Sequence, residues 1–298
     1  MVNIALNPEL LQEIRRQIGT GGAAPLPIEP VTEVCGGQIN RNFVVRQGQR
    51  KLFVKLNDAT RLEMFAAERE ALIELQRQKR LHVPSPLAFG VSGDSAFLVM
   101  DYMEFGDRGD AAALGRGVAA LHEITADAHG WRRDNTIGTT PQHNPTSTDW
   151  PRFWAEHRLG FQLELAARRG FPVLRDRATD LLHDPVVFFA GYVPRPSLLH
   201  GDLWSGNFAY LSNGQPAVFD PATYYGDRET DLAMTELFGG FDRDFYEAYR
   251  AQAPLDPGYT VRRHYYQLYH VLNHLNLFGA GYLVQANSLI DRLVAEIR

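Results

Sequence analysis

Five short β-like runs and two helices fill the first hundred residues, and helical periodicity dominates the remainder. Asn7-Pro8-Glu9 opens a helix: a capping Asn, Pro at the first helical position, and an acid near the positive end of the dipole. That helix is expected to reach about Ile18, and the Gly/Pro-rich stretch Gly19–Pro30 to be a loop. Strands follow at Thr32–Cys35, Asn42–Arg46 and Lys51–Leu56, separated by Gly36-Gly37 and by Gly48 as in hairpins. Arg61–Arg80 places Leu62, Phe65, Ala66, Leu72 and Leu75 on one helical side, and Pro84 and Pro86 end it. Leu87–Val91 and Ala96–Asp101 are two more strands around Gly93-Asp94. Helices are then expected over Ala111–Ile124, Asp149–Arg169, Leu174–Leu182, Arg228–Leu237, Asp242–Ala251, Pro257–Gly279 and Gln285–Ile297, interrupted by short strands near 198–200, 207–211 and 216–220.

Composition narrows the class. The chain has 298 residues, 45% of them hydrophobic, enough for a sizeable core in one large domain or two lobes. A net charge of −5 argues against a general nucleic-acid binder. The single cysteine, Cys35, excludes an intramolecular disulfide framework and a CxxC zinc site and fits a reducing compartment. The start of the chain lacks a signal-peptide pattern, and no run approaches the roughly 20 apolar residues that span a bilayer, so a soluble cytoplasmic protein is expected.

The chemistry concentrates in His200-Gly201-Asp202-Leu203-Trp204-Ser205-Gly206-Asn207 and in Asp220-Pro221-Ala222. Asp202 can take a proton from a hydroxyl. Asn207, five residues on, can ligate Mg2+, and Asp220 can bridge Mg2+ to the phosphates of ATP. Lys55, ending the run Leu52-Phe53-Val54, offers a charge to those phosphates and needs a carboxylate to hold it. Glu68 on the next helix is preferred over Glu63 and Glu70. Gly36-Gly37 can cover phosphates with backbone amides, or be an ordinary hairpin turn; no GxxxxGK[ST] loop occurs. His200 is expected to hold the loop to the core rather than to act as base, and Asp231 to anchor the loop by hydrogen bonds. His270 and His274, four apart without HExxH, read as core or cleft histidines, with His274 within reach of substrate. Trp204 can wall a substrate pocket or simply pack. The β-β-β-α-β-β order before a helical remainder fits an α+β, two-lobed, protein-kinase-like fold, with a nucleotide-binding lobe over 1–101, a hinge near 100–109 and a catalytic and substrate lobe over 102–298.

These residues resemble the fructosamine kinases (ketosamine-3-kinases), relatives of aminoglycoside and choline kinases. The resemblance rests on LLHGDLWSGN at 198–207, FDPATYYGDRETDLAM at 219–234, FGGF at 238–241, YQLYHVLNHLNLFG at 266–279, and IGTTPQHN at 137–144 with DW at 149–150. It implies transfer of the ATP γ-phosphate to the 3-hydroxyl of a ketosamine, free or on a protein lysine, whose unstable product then releases the amine. The sequence resembles bacterial-type members, which favour ribulosamines and erythrulosamines over fructosamines. By the same resemblance Asp202 is the base, Asn207 and Asp220 hold magnesium, Lys55 with Glu68 orders the phosphates, and the Asp101–Met103 hinge binds adenine through its backbone. Some relatives carry a redox cysteine where Gln38 stands here, so that switch does not transfer to Cys35, read as an inert thiol.

An aminoglycoside- or choline-type kinase is the alternative; it would want an acid-rich pocket, for which Asp227 and Glu229 are candidates. Trp204 and tyrosines such as Tyr224 suit a neutral sugar better. A non-catalytic scaffold would lack at least one of Lys55, Asp202, Asn207 and Asp220, all of which are present.

Overall fold

The computed structural model describes residues 6–19, 27–34 and 39–297. Cys35, Gly36, Gly37 and Gln38 lie outside them. The chain divides into two compact units, one running to Gly109 and including Tyr210–Phe219, the other formed by Asp110–Ala209 and Asp220–Arg298.

In the first unit α1 (Pro8–Ile18) starts as its sequence dictates, with the Asn7 carboxamide accepting from Leu10 N at 2.8 Å. Strands β1 (Ile28–Val34), β2 (Arg41–Gln47), β3 (Arg50–Asp58), β4 (Pro86–Ser92) and β5 (Ser95–Asp101) form an antiparallel sheet in the order β1-β2-β3-β5-β4. β1 begins earlier than expected because the sheet tolerates Pro30: it is an edge strand whose register shifts between Pro30 and Thr32. Pro86 is accommodated in the same way on the opposite edge. Alternation along β3 sorts its side chains. Leu52, Val54 and Leu56 join the core with Leu10 and Ile14 of α1. Phe53 packs with the core on the other face, built from Met64, Phe65 and Leu72 of α2 (Leu62–Gln78). Lys55 shares that second face by period two.

The second unit is mostly helical: α3 (Ala111–His122), α4 (Trp150–Trp154), α5 (Phe161–Arg168), α6 (Pro172–Arg177), α7 (Thr179–His183), α8 (Glu229–Leu237), α9 (Arg243–Gln252), α10 (Tyr259–Phe278) and α11 (Leu283–Ile297). α10 is its axis, burying Tyr265, Tyr266, Leu268, Tyr269, Leu272 and Leu275 among Trp150, Trp154, Leu163 and Leu293. Two expected helices differ in detail. A π-helical turn at Ala155–Gly160 joins α4 to α5, and its wider winding turns Arg158 fully inward. Leu174–Leu182 is two short helices that meet at the buried Ala178. A short hairpin, β6 (Asn135–Ile137) and β7 (Thr140–Gln142), forms around Gly138 at φ 62°. Strand β8 (Ser197–Leu198) leads into the chemistry-bearing loop, followed by β9 (Phe208–Tyr210), β10 (Pro216–Val218) and β11 (Tyr225–Gly226). Among the described residues no helix is long and apolar enough to cross a membrane.

Candidate active site

Lys55 stands on β3 and Glu68 on α2, and they meet at 2.5 Å with side chains 4% and 11% exposed. The thirteen-residue offset closes because strand and helix pack on one face, as expected from the sequence. Asp101 ends β5 in an ion pair with Arg50 at 2.5 Å, its N–H donating to Ser85 O, and Met103 beyond it is half-buried.

In the second unit, the loop after β8 hangs on a single carboxylate. Asp231 of α8, buried, accepts from His200 N at 2.7 Å, from Gly201 N at 2.9 Å and from His122 Nε2 at 3.1 Å. His122 in turn meets the Tyr249 hydroxyl at 2.9 Å. Burial alone would raise the Asp231 carboxyl, but His122 and the backbone donors more than offset it and hold the group below the usual carboxylate range. Asp231 is thus the loop anchor that the sequence implied; His122 and Tyr249, on other helices, carried no local signal.

The loop then turns so that its functional groups meet. Asn207 Nδ2 donates to the backbone oxygen of Asp202 at 2.9 Å and to its Oδ2 at 3.1 Å, and lies 3.5 Å from the Asp220 carbonyl. These donations leave the Asn207 carboxamide oxygen for another ligand. Burial first, then the negative charges of Asp220 and Asp231, pushes Asp202 up to about 7. Asp220 is exposed and adopts φ 58°, in the left-handed region rarely held by a side-chain-bearing residue. Ala222 N donates to His200 O at 2.9 Å, tying the Asp220 segment to the loop. Gly201 is obligatory at that junction: φ is 86° and a Cβ would stand 2.1 Å from the Ala222 oxygen. Asn207 and Asp220 offer hard oxygen donors, and the described residues contain no group of three or more His, Cys, Asp or Glu placed to hold a metal ion. That set suits Mg2+, which takes few protein ligands and shares the rest with water and phosphate.

Beside the loop runs an aromatic ledge. The Trp204 ring folds over Gly206, where a Cβ would approach it to 2.3 Å. It meets Phe238 edge-on at 6.3 Å; Phe238 contacts His274 at 4.7 Å, and His274 contacts Phe278 and Tyr282 at 5.5 and 5.1 Å. Burial lowers the His274 pKa, and its Nδ1–H donates to His270 O at 2.8 Å. Tyr224, expected against substrate, is instead a core residue. It is 2% exposed, its ring lies under the Arg158 guanidinium at 4.3 Å and stacks on Trp150, so no face is left for a ligand. Asp227 and Glu229 are also fully buried: Tyr192 and Tyr266 donate to Asp227 at 2.9 and 2.6 Å, and Arg262 grips Glu229 at 2.7 and 3.0 Å. They form no acidic pocket. A separate concavity of about 550 Å³, walled by His143, His157, Phe161, Arg168 and His183, holds none of the residues named above as catalytic candidates.

Comparison with known proteins places this architecture. The fold is that of the kinase-like phosphotransferases: the aminoglycoside phosphotransferase APH(4)-Ia superposes with a TM-score of 0.57 over 91% of this chain and 94% of its own, at 16% identity. Solved structures from Haemophilus somnus and Thermobifida fusca, provisionally assigned as fructosamine-3-kinases, match with TM-scores of 0.86 and 0.83 at 28% and 29% identity, each covering 96% of this chain and 97% and 98% of theirs. The fructosamine kinase family model matches residues 10–296, and the chain belongs to that family. A Synechocystis protein named a probable ketoamine kinase is 45% identical over 96% of this chain and 97% of its own. The chloroplastic protein-ribulosamine 3-kinase of Oryza sativa subsp. japonica is 41% identical over 93% of this chain and 82% of its own.

Proposed function

We propose that this protein is an ATP-dependent ketosamine 3-kinase, moving the γ-phosphate of ATP to the 3-hydroxyl of a sugar joined to an amine by glycation. The Asp202–Asn207 contact at 3.1 Å, in a chain of this family, carries the reading. Asp202 accepts the proton of the acceptor hydroxyl; phosphoryl transfer through a loose transition state asks for positioning more than for basicity, so a carboxylate suffices. Asn207 both steers that carboxylate and, with Asp220, supplies oxygens to Mg2+, which when bound neutralises charge on the phosphate oxygens. Lys55, held by Glu68, is assigned to the phosphates of the nucleotide. Gly36 and Gly37 would cover those phosphates, and the Asp101–Met103 backbone would meet adenine. The sugar is assigned to the Trp204 ledge, with neutral His274 beside it. A phosphate at C3 is a good leaving group once the C1–C2 bond enolises: the product loses inorganic phosphate to leave an imine at C1, and water hydrolyses that imine to the free amine and a 3-deoxy dicarbonyl sugar, which is deglycation. A cytoplasmic site of action belongs to the same proposal.

The burial of Asp227 and Glu229 against tyrosine and arginine partners removes the acidic surface that a polycationic acceptor would need. The test is ATP consumption with ribulosyl-, erythrulosyl- and fructosyl-lysine, with an aminoglycoside and choline as controls and Asp202→Asn as the null enzyme. Turnover on the ketosamines, abolished in Asp202→Asn, is expected; turnover confined to the controls overturns the assignment.

A further inference from the structure

The motif at 137–144 has no place in the chemistry above, yet it reaches the Asp220 segment. Gln142, at the end of β7, is 1% exposed. Its Nε2 donates to Asn135 Oδ1 at 2.8 Å and to the Ala222 carbonyl at 3.1 Å, while its Oε1 accepts from the Tyr269 hydroxyl at 2.8 Å. Asn135, at the start of β6, donates from Nδ2 to the Thr223 carbonyl at 2.9 Å. Its Oδ1 also accepts from Asn144 Nδ2 at 3.0 Å, and Asn144 Oδ1 takes the Arg158 guanidinium at 2.6 Å. Two amides thus clamp two successive carbonyls, two and three residues after Asp220.

The clamp has one orientation. Flipping the Gln142 amide would set its oxygen against two acceptors, Asn135 Oδ1 and the Ala222 carbonyl, and its nitrogen against the Tyr269 hydroxyl that now donates to Oε1. Both Nε2 protons and Oε1 are used, so the buried amide has no alternative partner to trade for. The clamped segment is also wedged: Ala222 N donates to His200 O, and the Ala222 oxygen sits where Gly201 leaves room only for hydrogen. Asp220, just upstream, holds φ 58°, a conformation that persists only when its surroundings over-determine it.

We propose that Gln142 and Asn135 are positioning residues for the metal-binding segment: they fix the Ala222–Thr223 peptides against the catalytic loop, hold Asp220 in its left-handed conformation, and so set its carboxylate for Mg2+. This rests on the magnesium role of Asp220 proposed above, not on the identity of the sugar.

The experiment is ATP binding to the intact protein by calorimetry across a Mg2+ titration, with no acceptor present. Gln142→Leu is expected to raise the Mg2+ concentration giving half-maximal tightening of ATP about tenfold, at a temperature where the variant is folded. Tyr269→Phe, which removes only the hydroxyl orienting Gln142, shifts it about threefold in the same direction and decides the matter if Gln142→Leu does not fold. Leu293→Ala, a core truncation in α11, lowers the melting temperature without moving the Mg2+ midpoint. Unchanged midpoints in both clamp variants overturn the proposal. Wild-type protein that ignores every ketosamine but binds ATP more tightly with Mg2+ sinks the substrate reading alone.

Discussion

Lys55 Nζ and Glu68 Oε1 lie 2.5 Å apart in a setting almost closed to water. Breaking such a pair leaves a buried charge uncompensated, a loss of about 3–5 kcal/mol, whereas replacing both partners by apolar groups is often neutral. Glu68→Leu is therefore expected to destabilise the protein strongly, and Lys55→Met/Glu68→Leu to recover most of that stability without recovering ATP turnover. Denaturation midpoints and initial rates measured on both variants check this; a double variant that turns over ATP normally would remove Lys55 from the reaction.

Gly201→Ala should cost far more than Gly239→Ala. Both glycines have positive φ, 86° and 72°, but a Cβ at 201 meets the Ala222 oxygen at 2.1 Å, whereas at 239 it meets nothing within 4 Å. The second substitution carries only the conformational penalty, about 1 kcal/mol. The first must also push the catalytic loop away from the Asp220 segment, adding ~2 kcal/mol or more and removing turnover. Thermal melts of the pair, run together, read the difference; equal shifts would mean the junction is loose.

Trp204→Leu is expected to raise KM for the sugar acceptor about tenfold while leaving KM for ATP within about twofold, because a flat apolar face contributes binding common to ground and transition states. Steady-state kinetics with each substrate varied separately make the comparison. An equal effect on both KM values would move the ledge out of the acceptor site.

Acid should loosen the second unit through His270. Burial, reinforced by neighbouring His274, holds its imidazole down to about 3, against an ordinary value of 6.5. Between those values the unfolded chain takes up a proton that the folded chain refuses, so stability rises with pH and falls on acidification. The slope contributed is up to about 1.4 kcal/mol per pH unit below 6.5. His270→Phe should flatten the dependence of urea midpoints between pH 6.5 and 4.5; a slope as steep as wild type would place the acid sensitivity elsewhere.

What could be read before the structure was whatever depends on local spacing. Within the first unit the strand lysine meets the helix glutamate, and within the second Asn207 meets Asp202 and the Asp220 segment, each pairing closed by residues near one another in the chain. Gly48 and Gly93 marked their turns for the same reason, at φ 61° and 55°. Illegible were the features whose cause lies far along the chain. Tyr224 and Asp227 look like surface groups in a charged stretch, and only Arg158, Tyr192 and Tyr266 make them interior. The π-helical turn at 155–160 presents Arg158 to Asn144 and His143 O, partners no helical pattern reveals. The 137–144 motif was visible as a string, but the grip of its Gln142 on Ala222 spans eighty residues, and Asn135 just before it reaches Thr223 across eighty-eight.

The composition of the first unit has a consequence for biosynthesis. Residues 210–219 belong to it although a hundred residues intervene after Gly109. They supply Pro216 O and Val218 N to the backbone of His82, Tyr210 O to Gly106 N, and the Phe219 ring that stacks on Phe105. At about 5–20 residues per second, a ribosome needs roughly 5–20 s to span that interval. The N-terminal unit therefore waits, unfinished at His82 and Phe105, until Asn207 has been made and Asp220 is about to be. A nascent chain stalled anywhere in between should remain protease-sensitive at its amino end.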